Sequence, residues 1–105
     1  MKNLPVKNTR SLVLSKCVDV EMYCNASCPF CDLARSLLRK KGIAFIVHRT
    51  DKEDSVRDEM IERSNSKTVP QIFIGSCHIG GYDDLHKLNE INVLDKLLGM
   101  ASKGN

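Results

Sequence analysis

Cys28-Pro29-Phe30-Cys31 puts two thiols two residues apart, and that pair is the part of the chain best equipped for chemistry. If Pro29 is the first residue of a helix, where its missing N–H would be unpaired in any case, Cys28 occupies the N-cap. Its sulfur then faces the free N–H groups of Phe30 and Cys31 and the positive end of the helix dipole, all of which favour thiolate over thiol. Cys31, one turn further on, falls on the same side and within disulfide reach. The pair can therefore cycle between dithiol and disulfide. Lowering a thiol pKa from about 8.5 to about 6 raises the thiolate fraction at neutral pH about 30-fold, while intrinsic nucleophilicity falls about 10-fold. As an attacker the thiol gains little, but as a leaving group it gains clearly. That suits a catalyst that takes a disulfide partner and gives it up again.

Metal chemistry is the competing use of such cysteines. A four-ligand zinc site wants a second pair, and Cys17, Cys24, Cys77 and His78 lie at unsuitable spacings, so no metal is expected. Cys24, Cys28 and Cys31 also reproduce a C-x3-C-x2-C spacing that resembles radical S-adenosylmethionine enzymes. Those need a far larger barrel than 105 residues provide, so the spacing is read as coincidence.

The elements around the pair follow from periodicity. Val18, Val20 and Met22 alternate with Asp19, Glu21 and Tyr23, predicting a half-buried strand from Val18 to Cys24, followed by a turn at Asn25, Ala26 and Ser27. The helix from Pro29 is expected to bury Phe30, Leu33, Ala34, Leu37 and Leu38, with Arg39, Lys40 and Lys41 in its last turn and Gly42 ending it. Ile43 to His48 reads as a second strand, joined by a right-handed β-α-β crossover. Thr50 and Glu53 have capping-box spacing, predicting a helix to about Ser64 that buries Val56, Met60 and Ile61. Asn65 to Thr68 is loop. Gln71 to Ile74 and Cys77 to Ile79 form a hairpin turning at Gly75 and Ser76 and ended by Gly80 and Gly81, before helical stretches at Asp83 to Asn89 and Val93 to Gly99. The order predicts an α/β fold, a small mixed sheet covered by helices. Residues 1–16, with Lys2, Lys7, Arg10, Lys16 and no acid, read as a partly ordered basic extension, 17–99 as the folded domain and 100–105 as a polar tail.

Composition narrows the function classes. One domain's worth of chain buries roughly two thirds of its unfolded surface, enough for a core without covalent staples. The longest apolar run, Gly42 to Val47, is strand-sized, so no membrane partner is expected. A net charge of +3 is too mild to mark a nucleic-acid binder and modestly favours small anions. Met1 to Lys16 lacks an apolar signal core, and five cysteines leave at least one unpaired, so the expected compartment is the reducing cytoplasm. The extension's few serines and weak amphipathic pattern set an organelle transit peptide behind that reading.

Three ordered motifs now stand together: Cys28-Pro29-Phe30-Cys31 between strand and helix, Thr68-Val69-Pro70 before a strand, and Gly80-Gly81-Tyr82-Asp83-Asp84. From about Val18 to Gly99 the chain resembles the dithiol glutaredoxins of the thioredoxin-fold superfamily, close to the small bacterial type. The resemblance implies a four-stranded mixed sheet flanked by helices, with the hairpin antiparallel to the first strand and a cis peptide before Pro70. It implies glutathione as co-substrate, with Cys28 and Cys31 catalytic. Thr68 and Val69 would hold the cysteinyl part of glutathione and Gly81, Tyr82 and Asp83 its γ-glutamyl end, with Phe30 lining the groove. It further implies a monomer acting on disulfide-containing or glutathionylated proteins. Asn25 stands where the family commonly has lysine, which predicts a milder Cys28 pKa shift and weaker glutathione binding unless Lys67 or Gln71 takes over the glycyl carboxylate. Tyr82 replaces a frequent cysteine.

Two readings of another class share the fold: a reductase served by a flavoprotein, and a carrier holding a 2Fe-2S cluster between two subunits and two glutathiones, which Pro29 disfavours. Cys17 is expected to be a small buried or edge residue, Cys24 to pack or form an auxiliary disulfide, and Cys77 to be core or a bystander. His48, His78 and His86 share no ligand spacing and are expected at surface or strand-end positions. Asp51 to Asp54 are expected to serve helix-start electrostatics.

Overall fold

The computed structural model describes residues 19–99. The expectations placed on residues 1–16, Cys17, Val18 and 100–105 lie outside them. Eight elements follow in order: β1 (Val20–Cys24), α1 (Pro29–Lys40), β2 (Ile46–Arg49), α2 (Asp54–Ser64), β3 (Gln71–Ile74), β4 (Cys77–Gly80), α3 (Tyr82–Glu90) and α4 (Leu94–Leu98). The sheet order is β2-β1-β3-β4. β1 runs parallel to β2 and antiparallel to β3, which is antiparallel to β4, so the expected mixed sheet with its antiparallel hairpin is present.

Local signals explain most boundaries. Gly42 adopts φ 71°, the left-handed position that ends α1. Its N–H bonds the Arg39 carbonyl and that of Ile43 bonds Leu38, a Schellman closure that satisfies two terminal carbonyls. Ile43 is thereby committed to the helix stop, and β2 starts at Ile46, three residues later than the apolar run suggested. Gly75, at φ 62°, makes the two-residue hairpin turn with Ser76, and its N–H bonds the Asp19 carbonyl beside β1.

The core lies mainly on one face of the sheet. Val20, Met22 and Cys24 of β1 and Ile72 and Ile74 of β3 pack there against Cys31, Ala34 and Leu38 of α1, Leu85 of α3 and Leu94 and Leu98 of α4. Each fully buried leucine of this cluster is worth about 1.5–3 kcal/mol relative to exposure. The stripe on α1 is Cys31, Ala34 and Leu38, with Leu37 at its margin. Phe30 and Leu33, expected in that stripe, are 54% and 46% exposed, because the true core face is rotated toward the cysteine.

Two other expectations are corrected. β1 is buried on both faces: Tyr23 has no exposure and packs with Met60 and Phe73 under α2, its hydroxyl donating to Glu59 Oε2 (2.5 Å) and accepting from Arg63 Nη1 (2.8 Å). Those partners make a tyrosine tolerable at a position read as solvent-facing. The capping box at Thr50 does not form. Its hydroxyl bonds the Cys24 carbonyl instead (3.3 Å), and α2 starts at Asp54 with Glu53 as N-cap.

Candidate active site

The end of β1 delivers the chain to a turn that is fixed from three sides. The Thr50 N–H bonds the Cys24 carbonyl (2.9 Å), Asn25 Oδ1 accepts from Ser27 N (3.1 Å), and Asp51 Oδ2 accepts from Ala26 N (3.3 Å). Asn25 thus supports the turn and brings no positive charge to it. Asp51 is itself held by Arg49, through Nε at 2.7 Å and Nη2 at 2.6 Å. This two-pronged bond lowers the Asp51 carboxyl from its ordinary 3.8 to about 2. Because the folded pKa is depressed, the anchoring is fully present above about pH 4 and is lost as pH falls through about 2. Titrating the Asp51 carboxyl by NMR should give a midpoint near 2, and Arg49→Ala should return it toward 3.8. A midpoint unmoved by that substitution would show that Arg49 is not the cause.

Cys28 follows as N-cap of α1, with extended backbone (φ −138°, ψ 94°), Pro29 at N1, and its Sγ accepting from Cys31 N at 3.1 Å. The expected cap is therefore present. Cys28 and Cys31 form a disulfide, with Cα atoms 5.1 Å apart. Their exposures differ: Cys28 is 9% exposed and Cys31 1%, so Cys28 lies nearer the surface.

Both cysteines belong to the main core cluster, against which Val69 and Tyr82 pack. Beside them opens a cleft of about 380 Å³. Phe30 forms one wall, Thr68, Val69 and Pro70 a second, and Gly81, Tyr82 and Asp83 a third, so every non-cysteine residue expected at the site lines it. The Val69–Pro70 peptide is cis, as the resemblance implied. Gly81 is the N-cap of α3, and Asp84, three residues on, accepts from its N–H (3.0 Å). Gly80 has φ 115°, and a Cβ there would run into the Asp84 carboxylate, so the bend that starts this wall requires glycine. The free N–H groups of the first turn of α3 face an anion readily. The Phe30 and Tyr82 rings are stacked (6.4 Å between centroids, 27°), tying α1 to α3.

Ser66, Gln71, His78, Gly80 and Asp84 also line the cleft. Gly80 and Asp84 belong to the third motif, as hairpin end and helix-start residue, whereas Ser66 and His78 carry no local sequence signal. Of the two residues offered for a carboxylate contact, Lys67 is exposed. Gln71 is only 4% exposed and its amide is engaged within the protein.

The remaining residues take ordinary places. Cys24 packs, with no exposure, and its sulfur accepts from Arg35 Nη2 at 3.0 Å, while Cys77 is an exposed free thiol. His48 pairs with Glu21 and His86 with Glu90. Among the described residues, no three His, Cys, Asp or Glu side chains gather so as to hold a metal ion, and no helix is long and apolar enough to cross a membrane.

Comparison with known proteins matches the glutaredoxin family model to residues 20–79. The chain is 48% identical over 80 residues to glutaredoxin 3 of Escherichia coli (strain K12), covering 76% of this chain and 96% of that protein. It is 44% identical over 79 residues to a glutaredoxin of Pseudomonas aeruginosa, covering 75% and 94%. Among solved structures it is similar to glutaredoxin from Brucella melitensis (45% identity, TM-score 0.72, 81% and 92% covered). A buckwheat glutaredoxin–glutathione complex, at 22% identity and TM-score 0.73 over 89% and 90%, shares the fold.

Proposed function

The chain belongs to the glutaredoxin family of thiol–disulfide oxidoreductases, and on that premise we propose that it uses glutathione to reduce protein disulfides and protein–glutathione mixed disulfides through Cys28 and Cys31. The observation that carries this reading is the placement of a helix-capped Cys28, in front of a buried Cys31, beside a cleft whose walls offer backbone on two sides. An extended peptide lies along Val69, pairing like an added strand, with Thr68 beside its cysteinyl part. The γ-glutamyl end lies over Gly81, its carboxylate meeting the N–H groups of Tyr82 and Asp83, its ammonium near the Asp83 side chain, and Phe30 flanks the chain.

The Cys28 thiolate attacks the glutathione sulfur of a mixed disulfide, the protein thiolate leaves and takes a proton, and Cys28 carries glutathione. A second glutathione thiolate attacks that glutathione sulfur, releasing oxidised glutathione and regenerating Cys28. With a protein disulfide, Cys28 first forms a mixed disulfide with the client, and Cys31 attacks Cys28 to free it. A glutathione thiolate then opens the resulting Cys28–Cys31 disulfide at Cys28, giving the same glutathionylated Cys28 that a second glutathione reduces. The cytoplasm suits this reaction, since it maintains reduced glutathione. A monomer is sufficient for it.

The test couples a glutathionylated peptide to glutathione, glutathione reductase and NADPH. Saturable turnover well above the uncatalysed rate is expected. Turnover only when a flavoprotein thioredoxin reductase replaces glutathione would overturn the reading, and a 2Fe-2S absorption spectrum after anaerobic reconstitution without turnover would favour the carrier.

A further inference from the structure

We propose that His78 is a positioning residue for glutathione: it fixes the loop Ser66–Pro70 through the buried amide of Gln71. The inference rests on the functional reading above and deepens it at one wall of the cleft.

Gln71 opens β3 directly after the cis peptide and is 4% exposed. Its Nε2 reaches the Thr68 carbonyl at 3.0 Å, Thr68 Oγ1 at 3.2 Å and Ser66 Oγ at 3.1 Å. Ser66 Oγ in turn lies 3.0 Å from Thr68 Oγ1 and accepts from Thr68 N at 3.3 Å. One amide therefore gathers the loop that presents Thr68 and Val69 to the cleft. Its orientation is forced, because a carbonyl oxygen can only accept and the group facing Thr68 O must be the NH2. Gln71 Oε1 then faces the other way, where His78 Nε2 lies 2.7 Å off.

That oxygen needs a donor, so His78 carries its proton on Nε2. The ring is seated for this task on β4, with Phe73 4.9 Å away, and Arg63 stacks on Phe73 at 4.0 Å. Protonating His78 adds a proton at Nδ1 and leaves the Nε2–H bond in place. Removing the donor leaves a buried acceptor unpaired, and the amide will turn or tilt to find water, releasing the loop.

The variants are His78→Phe, which keeps a ring against Phe73 without a donor, and His78→Gln, which restores an N–H at similar reach. In the glutathione-coupled assay His78→Phe should raise KM for glutathione about five- to tenfold. Its kcat at saturation should stay within about twofold, and His78→Gln should recover most of the KM. Independently of any turnover, NMR of the wild type should find the Nε2–H tautomer, and the Ser66 and Thr68 amides should exchange faster in His78→Phe alone. An unchanged KM in His78→Phe, with normal turnover by the wild type, would overturn the assignment. So would an Nδ1–H tautomer, or equal loss of kcat and KM in both variants. If the wild type itself does not turn over with glutathione, the functional reading fails. The tautomer and the amide exchange then still decide whether His78 sets the loop.

Discussion

Replacing Cys28 by serine is expected to reduce turnover of both mixed disulfides and protein disulfides by at least about a thousandfold, with the fold intact. The chemistry requires a sulfur anion, and a serine hydroxyl is not ionised at neutral pH and forms no disulfide. The local structure argues that the loss is chemical alone. Position 28 is an N-cap whose side chain accepts the Cys31 N–H, and serine is among the preferred residues for that role. The first turn of α1 should therefore be capped at least as well as in the reduced parent. Turnover in the coupled assay and thermal melting of the two proteins, both under reducing conditions, check the two halves together. Residual activity within tenfold of the parent would move the nucleophile elsewhere. A melting temperature several degrees lower would mean that the sulfur has a structural part that the cap geometry does not reveal.

The parts of this site that could be read in the sequence are those built from neighbours along the chain. The N-cap of α1 needs only Cys28, Pro29 and Cys31, and the stop at Gly42 needs only a residue free to take positive φ. The Gly75-Ser76 hairpin and the glycines ahead of α3 are local in the same sense. What eluded the sequence depends on which element packs on which. Tyr23 reads as solvent-facing until α2 supplies Glu59 and Arg63 for its hydroxyl. Thr50 has a capping residue's spacing, but the end of β1 offers it a carbonyl first, and no property of residues 50–53 reveals that competitor. Phe30 and Leu33 have helical spacing, yet the phase of the buried stripe is set by the sheet beneath. Cys24 shows the same limit at the site itself: its burial follows from strand alternation, whereas the guanidinium of Arg35 beside its sulfur comes from the adjoining helix. The Ser66, Gln71 and His78 network joins a loop and two strands, and nothing in the sequence around Ser66 or His78 marks them as partners of Gln71.

Cys31→Ser should separate the two reactions that Cys28→Ser removes together. Reduction of a protein disulfide should fall by about a hundredfold or more, because freeing the client then waits for glutathione to diffuse to a bulky mixed disulfide, and the held neighbour no longer attacks from within. Deglutathionylation should remain within about twofold of the parent or rise, since that route uses Cys28 alone and loses only a competing internal disulfide. The geometry supports the split. Cys31 is 1% exposed and its Cα lies 5.1 Å from that of Cys28, a placement that suits the internal attack on the Cys28 sulfur proposed for it. Burying a hydroxyl in place of that thiol costs about 1–3 kcal/mol if it finds no partner, which melting curves will register without touching the ratio of the two activities. The ratio is therefore the measurement that matters: both substrates assayed on the same preparation, each relative to the parent. If the two activities fall in parallel, the monothiol route is wrong and Cys31 is needed before glutathione can leave Cys28.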